Sequence, residues 1–252
     1  MKISLVLPTY KKEKEVIEQL DRLYSYLTRK NSDFELIFVI DGYVDNTREI
    51  LEKYIKENRL SKVKVVGYRE NIGKGYAIRY GMKIADGDVI GFTDADNDIH
   101  LRSLGYAINS IKNEDTLAVI PSKFHKDSNV EMSFQRKFLS TLLVDLNKIL
   151  LRLPKDIDDI GCGLKLFKRD LIKKVLPVLT VDEFAIDSDI LNEIGKLNVD
   201  VEVIPFFLSK NRSDSTSTNL SAELGMIRDI FRLSLKNKYF FGIKIFNLLS
   251  IK

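Results

Sequence analysis

One cysteine, Cys162, stands in 252 residues, so no intramolecular disulfide can form and a disulfide-framed secreted scaffold is excluded. Histidine is nearly as scarce. His100 and His125 each read as a surface or capping residue rather than as a catalytic base. No run approaches the roughly 18–20 apolar residues of a membrane span. The opening run Ile3–Leu7 is too short for a signal-peptide core and has no small-residue cleavage site behind it. The expected location is therefore the cytoplasm, or the cytoplasmic face of a membrane with the chain attached peripherally. The net charge of +4 is too weak to argue for a dedicated nucleic-acid binder. Several motifs are missing as well. The turn after the first strand-like run is Pro8-Thr9-Tyr10, not a glycine-rich dinucleotide fingerprint, and neither a Walker A sequence nor a Gly-x-Ser-x-Gly elbow is present. Internal repeats and low-complexity linkers are also missing, which points to one domain.

What is there is a composition able to pack a core: 44% hydrophobic and 30% charged residues. Strand-like and helix-like segments alternate. Ile3–Leu7, Phe34–Ile40, Val63–Val66, Val89–Phe92 and Leu117–Ile120 are short β-rich apolar runs. Between them lie helical patterns over Lys12–Arg29, Asp45–Asn58, Gly75–Ala85 and Leu101–Lys112. Asp45 or Asn46 is placed to cap the second helix. The strands are apolar throughout rather than alternating, as a sheet covered on both faces requires. The expectation is an α/β fold with a mainly parallel central sheet. Further on, Met132–Leu153 and Ile186–Lys196 have helical spacing. Leu164–Phe167 and Val199–Ile204 read as strands, and 206–219 as a polar loop. The domain is expected to span 1–235, with a basic aromatic tail over 236–252.

Asp94-Ala95-Asp96 follows the strand Val89–Phe92, and Asp98 comes two residues later. Ligands of open α/β sheets bind beyond the carboxyl ends of the strands. Three acids crowded there repel one another unless a cation lies between them. Their hard oxygens suit Mg²⁺ or Mn²⁺, which in turn bind diphosphate oxygens. Asn71-Ile72-Gly73-Lys74-Gly75 is glycine-rich and opens a helix, so its amides and Lys74 can approach a phosphate. The charge is unevenly spread. From Leu224 onward six basic residues face one acid, Asp229, with Phe231, Tyr239, Phe240, Phe241 and Phe246 interleaved. Basic plus aromatic suits either a membrane-surface segment or an ordinary helix packed on the domain.

These motifs come in the order and spacing of a known family. Val6-Leu7-Pro8-Thr9-Tyr10, Val39-Ile40-Asp41-Gly42-Tyr43-Val44-Asp45, Asn71 to Ala77 and Asp94-Ala95-Asp96 resemble the family-2 glycosyltransferases. Gly161-Cys162-Gly163-Leu164-Lys165-Leu166-Phe167 narrows the resemblance to the polyprenyl-phosphate branch of dolichyl-phosphate glucosyltransferases and mannose synthases. The resemblance runs over about residues 2–235. It implies a GT-A nucleotide-binding sandwich with C-terminal amphipathic helices. Pro8 and Tyr10 match positions flanking the nucleotide base. Asp41 matches the second acid of an Asp-Asp-Gly-Ser motif, with Ile40 and Tyr43 in place of the first Asp and the Ser. Asp94 and Asp96 match the pair on nucleotide and metal, and Asp98 lies where mannose synthases carry a Gln. Gly73 and Lys74 fall on the nucleotide-sugar side. Arg136 resembles the arginine that meets the acceptor phosphate, and Arg212 and Ser215 resemble a basic, serine-containing loop that closes over the site. Asp187 and Asp189 occupy a Phe-Asp-x-Glu-like helix.

The implied activity is inverting transfer of a sugar from a UDP-glucose- or GDP-mannose-type donor to polyprenyl or dolichyl phosphate at a membrane surface, with Mg²⁺ or Mn²⁺ and without nucleic acid. A partner protein is the alternative source of a membrane anchor. The implied catalytic set is Asp96, Arg136 and Asp187. A lipid phosphate is already anionic, so it needs cations to position it rather than a general base. A saccharide hydroxyl acceptor, the alternative within the family, would need a base, and Asp187 is the candidate. A non-catalytic nucleotide-sugar-binding module is the remaining reading.

Overall fold

The computed structural model describes residues 1–94, 101–130, 134–207, 220–236, 239–240 and 243–244; the side chains of 135–136, 220–224, 239–240 and 243–244 lie outside that description. Seven strands form one sheet: β1 (Lys2–Thr9), β2 (Asp33–Asp41), β3 (Val63–Tyr68), β4 (Val89–Thr93), β5 (Ala118–Ser122), β6 (Leu164–Lys168) and β7 (Glu202–Pro205). Their order is β3-β2-β1-β4-β6-β5-β7. All neighbouring pairs are parallel except those of β6, which runs antiparallel to both β4 and β5.

The helices cover both faces: α1 (Val16–Arg29), α2 (Thr47–Glu57), α3 (Lys74–Ile84), α4 (Leu101–Ser110), α5 (Phe134–Leu150), α6 (Arg169–Val175), α7 (Ile186–Lys196) and α8 (Leu220–Lys236). Side chains of a strand alternate between faces, so each central strand feeds two cores. Leu5, Leu7, Leu36 and Phe38 pack with Leu20 and Leu27 of α1 and Leu104 of α4. Val6, Ile37 and Val39 face the other way, onto Ala77 and Ile78 of α3 and Ile190 of α7. Both faces of β1 and β2 are thus dry, which is why these strands read as unbroken apolar runs.

Local chemistry sets the helix limits. The Asp45 carboxylate accepts from the Thr47 amide at 3.1 Å and so satisfies one of the donors that open α2. Asn46, in the cap position, makes no such bond. The first helix begins at Val16 rather than Lys12: Lys11 takes a left-handed φ of 52°, and residues 13–15 form a turn in which the Glu15 amide donates to the Lys12 carbonyl at 3.1 Å. The seventh strand begins at Glu202, not Val199, since Asn198 is also left-handed and Val199 still bonds back to Ile194. The seven residues of α6 carry too little period to be seen in the sequence. The C-terminal stretch is not one continuous helix: α8 ends at Lys236, and Tyr239–Phe240 then pairs antiparallel with Ile243–Lys244.

Candidate functional site

The carboxyl ends of β1, β2 and β4 share one edge of the sheet, and the loop into the reversed strand β6 reaches the same edge. Asp94 stands just past β4 and is held through three groups. Its amide donates to the Gly163 carbonyl at 3.0 Å. Its carbonyl accepts from the Gln19 side chain on α1 at 2.7 Å. Its Oδ1 lies 2.5 Å from Lys74 Nζ at the start of α3. Gly163 is close behind it: a Cβ there would overlap the Asp94 carboxylate. A carboxylate fixed at the strand end offers the hard oxygens that a divalent cation takes. Asp96 and Asp98, the other expected ligands, lie outside the described residues. Among the described residues no group of three or more His, Cys, Asp or Glu side chains gathers to hold an ion.

The glycine turn before α3 is organised by Asp41 at the end of β2. This carboxylate is buried. It accepts from the Ile72 amide at 2.8 Å, the Gly73 amide at 3.1 Å and the Asn71 side chain at 2.8 Å. Those two amides are therefore directed at Asp41 rather than at a phosphate, which changes the expectation drawn from the sequence. A buried carboxylate needs several donors, and the turn supplies them. Gly73 has a φ of 132°, a conformation L side chains rarely adopt, and the Asp182 and Glu183 chain lies against it. Burial first, and then the Asp41 charge, pushes the Tyr68 hydroxyl above its usual range.

Pro8 and Thr9 end β1, and Tyr10 follows, exposed, with Lys11 Nζ 5.0 Å from its ring centre. Tyr43, past the end of the neighbouring β2, is the second exposed ring on this edge, with the Arg48 guanidinium 4.7 Å from its centre.

Asp187 and Asp189, in the first turn of α7, are both buried. Asp187 Oδ1 lies 2.5 Å from Lys165 Nζ. Asp189 Oδ2 accepts from the Thr180 and Val181 amides at 2.7 and 3.1 Å. The segment so held also touches α3, because the Asp182 carbonyl accepts from the Tyr76 amide at 3.0 Å and the Leu179 carbonyl from Arg79 at 3.0 Å. Cys162 is buried as well, and burial pushes its thiol up to about 12.

Arg136 falls in the first turn of α5, and its side chain lies outside the described part; Arg212 and Ser215 lie outside the described residues altogether, as does His100. His125 Nδ1 accepts from the Asp127 amide at 3.2 Å, a local turn contact. Sequence reasoning passed over three residues the structure brings to this edge. Gln19 grips the Asp94 carbonyl. Lys123, just after β5, lies 3.1 Å from Asp159 Oδ1. Lys165 is fully buried, and its one sequence signal is a lysine inside the apolar strand Leu164-Lys165-Leu166-Phe167.

Comparison with known proteins finds relatives in sequence and in fold. A dolichyl-phosphate beta-glucosyltransferase of Dictyostelium discoideum is 25% identical over 254 residues, covering 96% of this chain and 76% of that protein. The human dolichyl-phosphate beta-glucosyltransferase is 30% identical over 199 residues, covering 75% of this chain and 61% of its own length. In fold, the chain is similar to glucosyl-3-phosphoglycerate synthase from Mycobacterium tuberculosis, solved with Mn²⁺ and uridine-diphosphate-glucose. That TM-score is 0.64 at 20% identity, over 96% of this chain and 79% of that one. The profile of Glycosyl transferase family 2 matches residues 4–176, which hold β1 through β6, Asp41, the glycine turn and Asp94, and the chain belongs to that family.

Proposed function

We propose that this chain transfers glucose from a nucleotide sugar to a polyprenyl phosphate of the dolichyl type, working at the surface of a membrane. The observation that carries the reading is the cluster at the carboxyl edge, where Asp94 is fixed against Gly163 and beside Lys74, over a glycine turn anchored by Asp41. The names of the relatives supply the sugar and the lipid.

In this reading Pro8, Tyr10 and Tyr43 border the base, while Asp41 and Gly73 hold the turn that carries Lys74 toward the diphosphate. Lys74 is a compact point charge suited to a phosphate oxygen. A divalent cation, Mg²⁺ or Mn²⁺, when bound neutralises the diphosphate and eases departure of the nucleotide, and Asp94, Asp96 and Asp98 would hold it. The acceptor phosphate is an anion near neutral pH, so positioning replaces proton abstraction. Arg136, Arg212 and Ser215 are assigned to it, with attack from the face opposite the nucleotide and inversion at the anomeric carbon.

The membrane part of the reading rests on α5 and α8, which pack against each other. Their inner sides bury Val144, Leu150, Ile230 and Leu233. Their outer sides stay apolar. Phe134 is 84% exposed, Phe138 62% and Leu142 53%, spaced four residues apart, and Ile227, Phe231 and Leu235 repeat the spacing on α8. Exposed apolar rows of this kind mark interaction surfaces. Lys137, Lys148, Arg228, Arg232 and Lys236 are exposed around them, as anionic headgroups of a cytoplasmic leaflet favour. None of the described helices is long and apolar enough to cross a membrane.

Incubating the enzyme with labelled nucleotide sugars, polyprenyl phosphate and Mn²⁺, followed by organic extraction, tests the proposal. Label from UDP-glucose should move to the lipid phase. Label found solely in a water-soluble product would refute the lipid acceptor.

A further inference from the structure

Among the described residues, Lys165 is the one lysine in the set of largest fully buried side chains, and it stands in β6 opposite Phe92 of β4. Its ammonium reaches three acceptors: the Ile160 carbonyl at 2.9 Å, the Cys162 carbonyl at 2.7 Å and Asp187 Oδ1 at 2.5 Å. An ammonium has three protons, so every donor is used. Burying such a charge is tolerated only with this degree of pairing.

The three acceptors belong to the two walls of the site. Ile160 and Cys162 lie in the loop whose next residue, Gly163, takes the Asp94 amide and backs the Asp94 carboxylate. Asp187 opens α7, and the segment just before it holds the start of α3, which carries Lys74. One side chain therefore ties the backing of Asp94 to the mount of Lys74. The 2.5 Å between those two groups depends on both walls keeping their places.

We propose that Lys165 and Asp187 form a positioning pair that sets Asp94 against Lys74 for donor binding, and that Asp187 is this ammonium's counter-ion rather than a base. The inference rests on the reading of Asp94 as a donor-site ligand. It deepens that reading on the acceptor side: with Asp187 committed to Lys165, the site suits an acceptor that arrives already ionised.

The test compares Lys165→Met, Asp187→Asn and the double variant Lys165→Met/Asp187→Leu with the wild type. The measurements are titration calorimetry of UDP with Mn²⁺, donor KM, kcat across pH, and thermal unfolding. Supporting residues behind a metal ligand cost about 10–100-fold in metal affinity or activity when lost. Lys165→Met should therefore raise the UDP–Mn²⁺ Kd and the donor KM by at least tenfold, with kcat at saturating donor changed far less. Asp187→Asn keeps an acceptor oxygen for Lys165. It should lose only severalfold in kcat and keep the wild-type pH profile. The double variant removes both charges together, so it should unfold near the wild-type temperature while retaining the weakened Kd; it carries the test if Lys165→Met does not fold. Loss of a general base would instead cost about 10²–10⁴-fold in kcat. Such a fall in Asp187→Asn, at unchanged Kd and with an altered pH profile, would overturn the inference. So would wild-type UDP–Mn²⁺ affinity in the double variant. A wild-type protein that binds no nucleotide would defeat the donor-site reading itself, and the inference with it.

Discussion

Alanine at Gly163 should disable donor binding while leaving the protein folded. A Cβ at this position overlaps Cγ and Oδ2 of Asp94 and reaches Oδ1 at 3.1 Å, while the backbone bond from Asp94 to Gly163 keeps the two residues together. One of them must move. Overpacking in a closed core costs about 1–3 kcal/mol, but the Asp94 side chain is 28% exposed and can swing toward solvent. The stability loss should therefore fall at the low end of that range. The functional loss should be larger. A swung carboxylate leaves Lys74 and shifts by more than the 1 Å that costs about 10²-fold at a reacting centre. Gly161, two residues away in the same loop, is the control. A Cβ there meets Lys123 Nζ at 3.9 Å and Asp159 Oδ1 at 4.0 Å, ordinary contacts, so Gly161→Ala should stay within about ±0.5 kcal/mol. Scanning calorimetry reports the fold, and titration with UDP and Mn²⁺ together with turnover reports the site. Wild-type affinity and turnover in Gly163→Ala, or equal damage from Gly161→Ala, would refute the reasoning.

Four further outcomes are expected. Asp96→Ala should stop sugar transfer with the fold retained, as excess chelator should in the wild type; full activity in chelator would exclude the metal. Phe138→Glu with Leu142→Glu should lower flotation with anionic vesicles by at least tenfold, since burying each large apolar side chain is worth about 1.5–3 kcal/mol; unchanged flotation at low salt would exclude α5 as the contact. Burial holds the Asp189 carboxyl above its usual range, against the partial relief from the Thr180 and Val181 amides. The folded state then keeps this proton longer than the unfolded chain does, so stability should fall as pH rises from the ordinary carboxylate range through the raised value. Asp189→Asn should flatten that part of the curve in urea unfolding, and an unaltered slope would count against it. Cys162, with its thiol raised to about 12, should resist a thiol reagent at pH 8 until the protein is denatured; rapid labelling of the native protein would contradict its burial.

The amino-acid sequence alone carried the alternation of strands and helices, because a sheet covered on both faces makes its strands continuously apolar and its helices amphipathic. It also carried the order of Pro8-Thr9-Tyr10, Asp41, the glycine turn and Asp94, since each motif sits where a strand meets a loop. Tertiary structure decided the rest. Strand direction leaves no mark on so short a run, so nothing in Leu164–Phe167 says that β6 lies reversed between β4 and β5. Yet that reversal brings Gly163 behind Asp94. Asp41 reads as a base contact in the motif, and only its partners across thirty residues reveal that it also anchors the turn. Asp187 reads as an acid on a helix, and only its approach to Lys165, 22 residues away, commits it to an ion pair. A carboxylate's role depends on which donors the fold brings to it, and those donors lie far away in sequence.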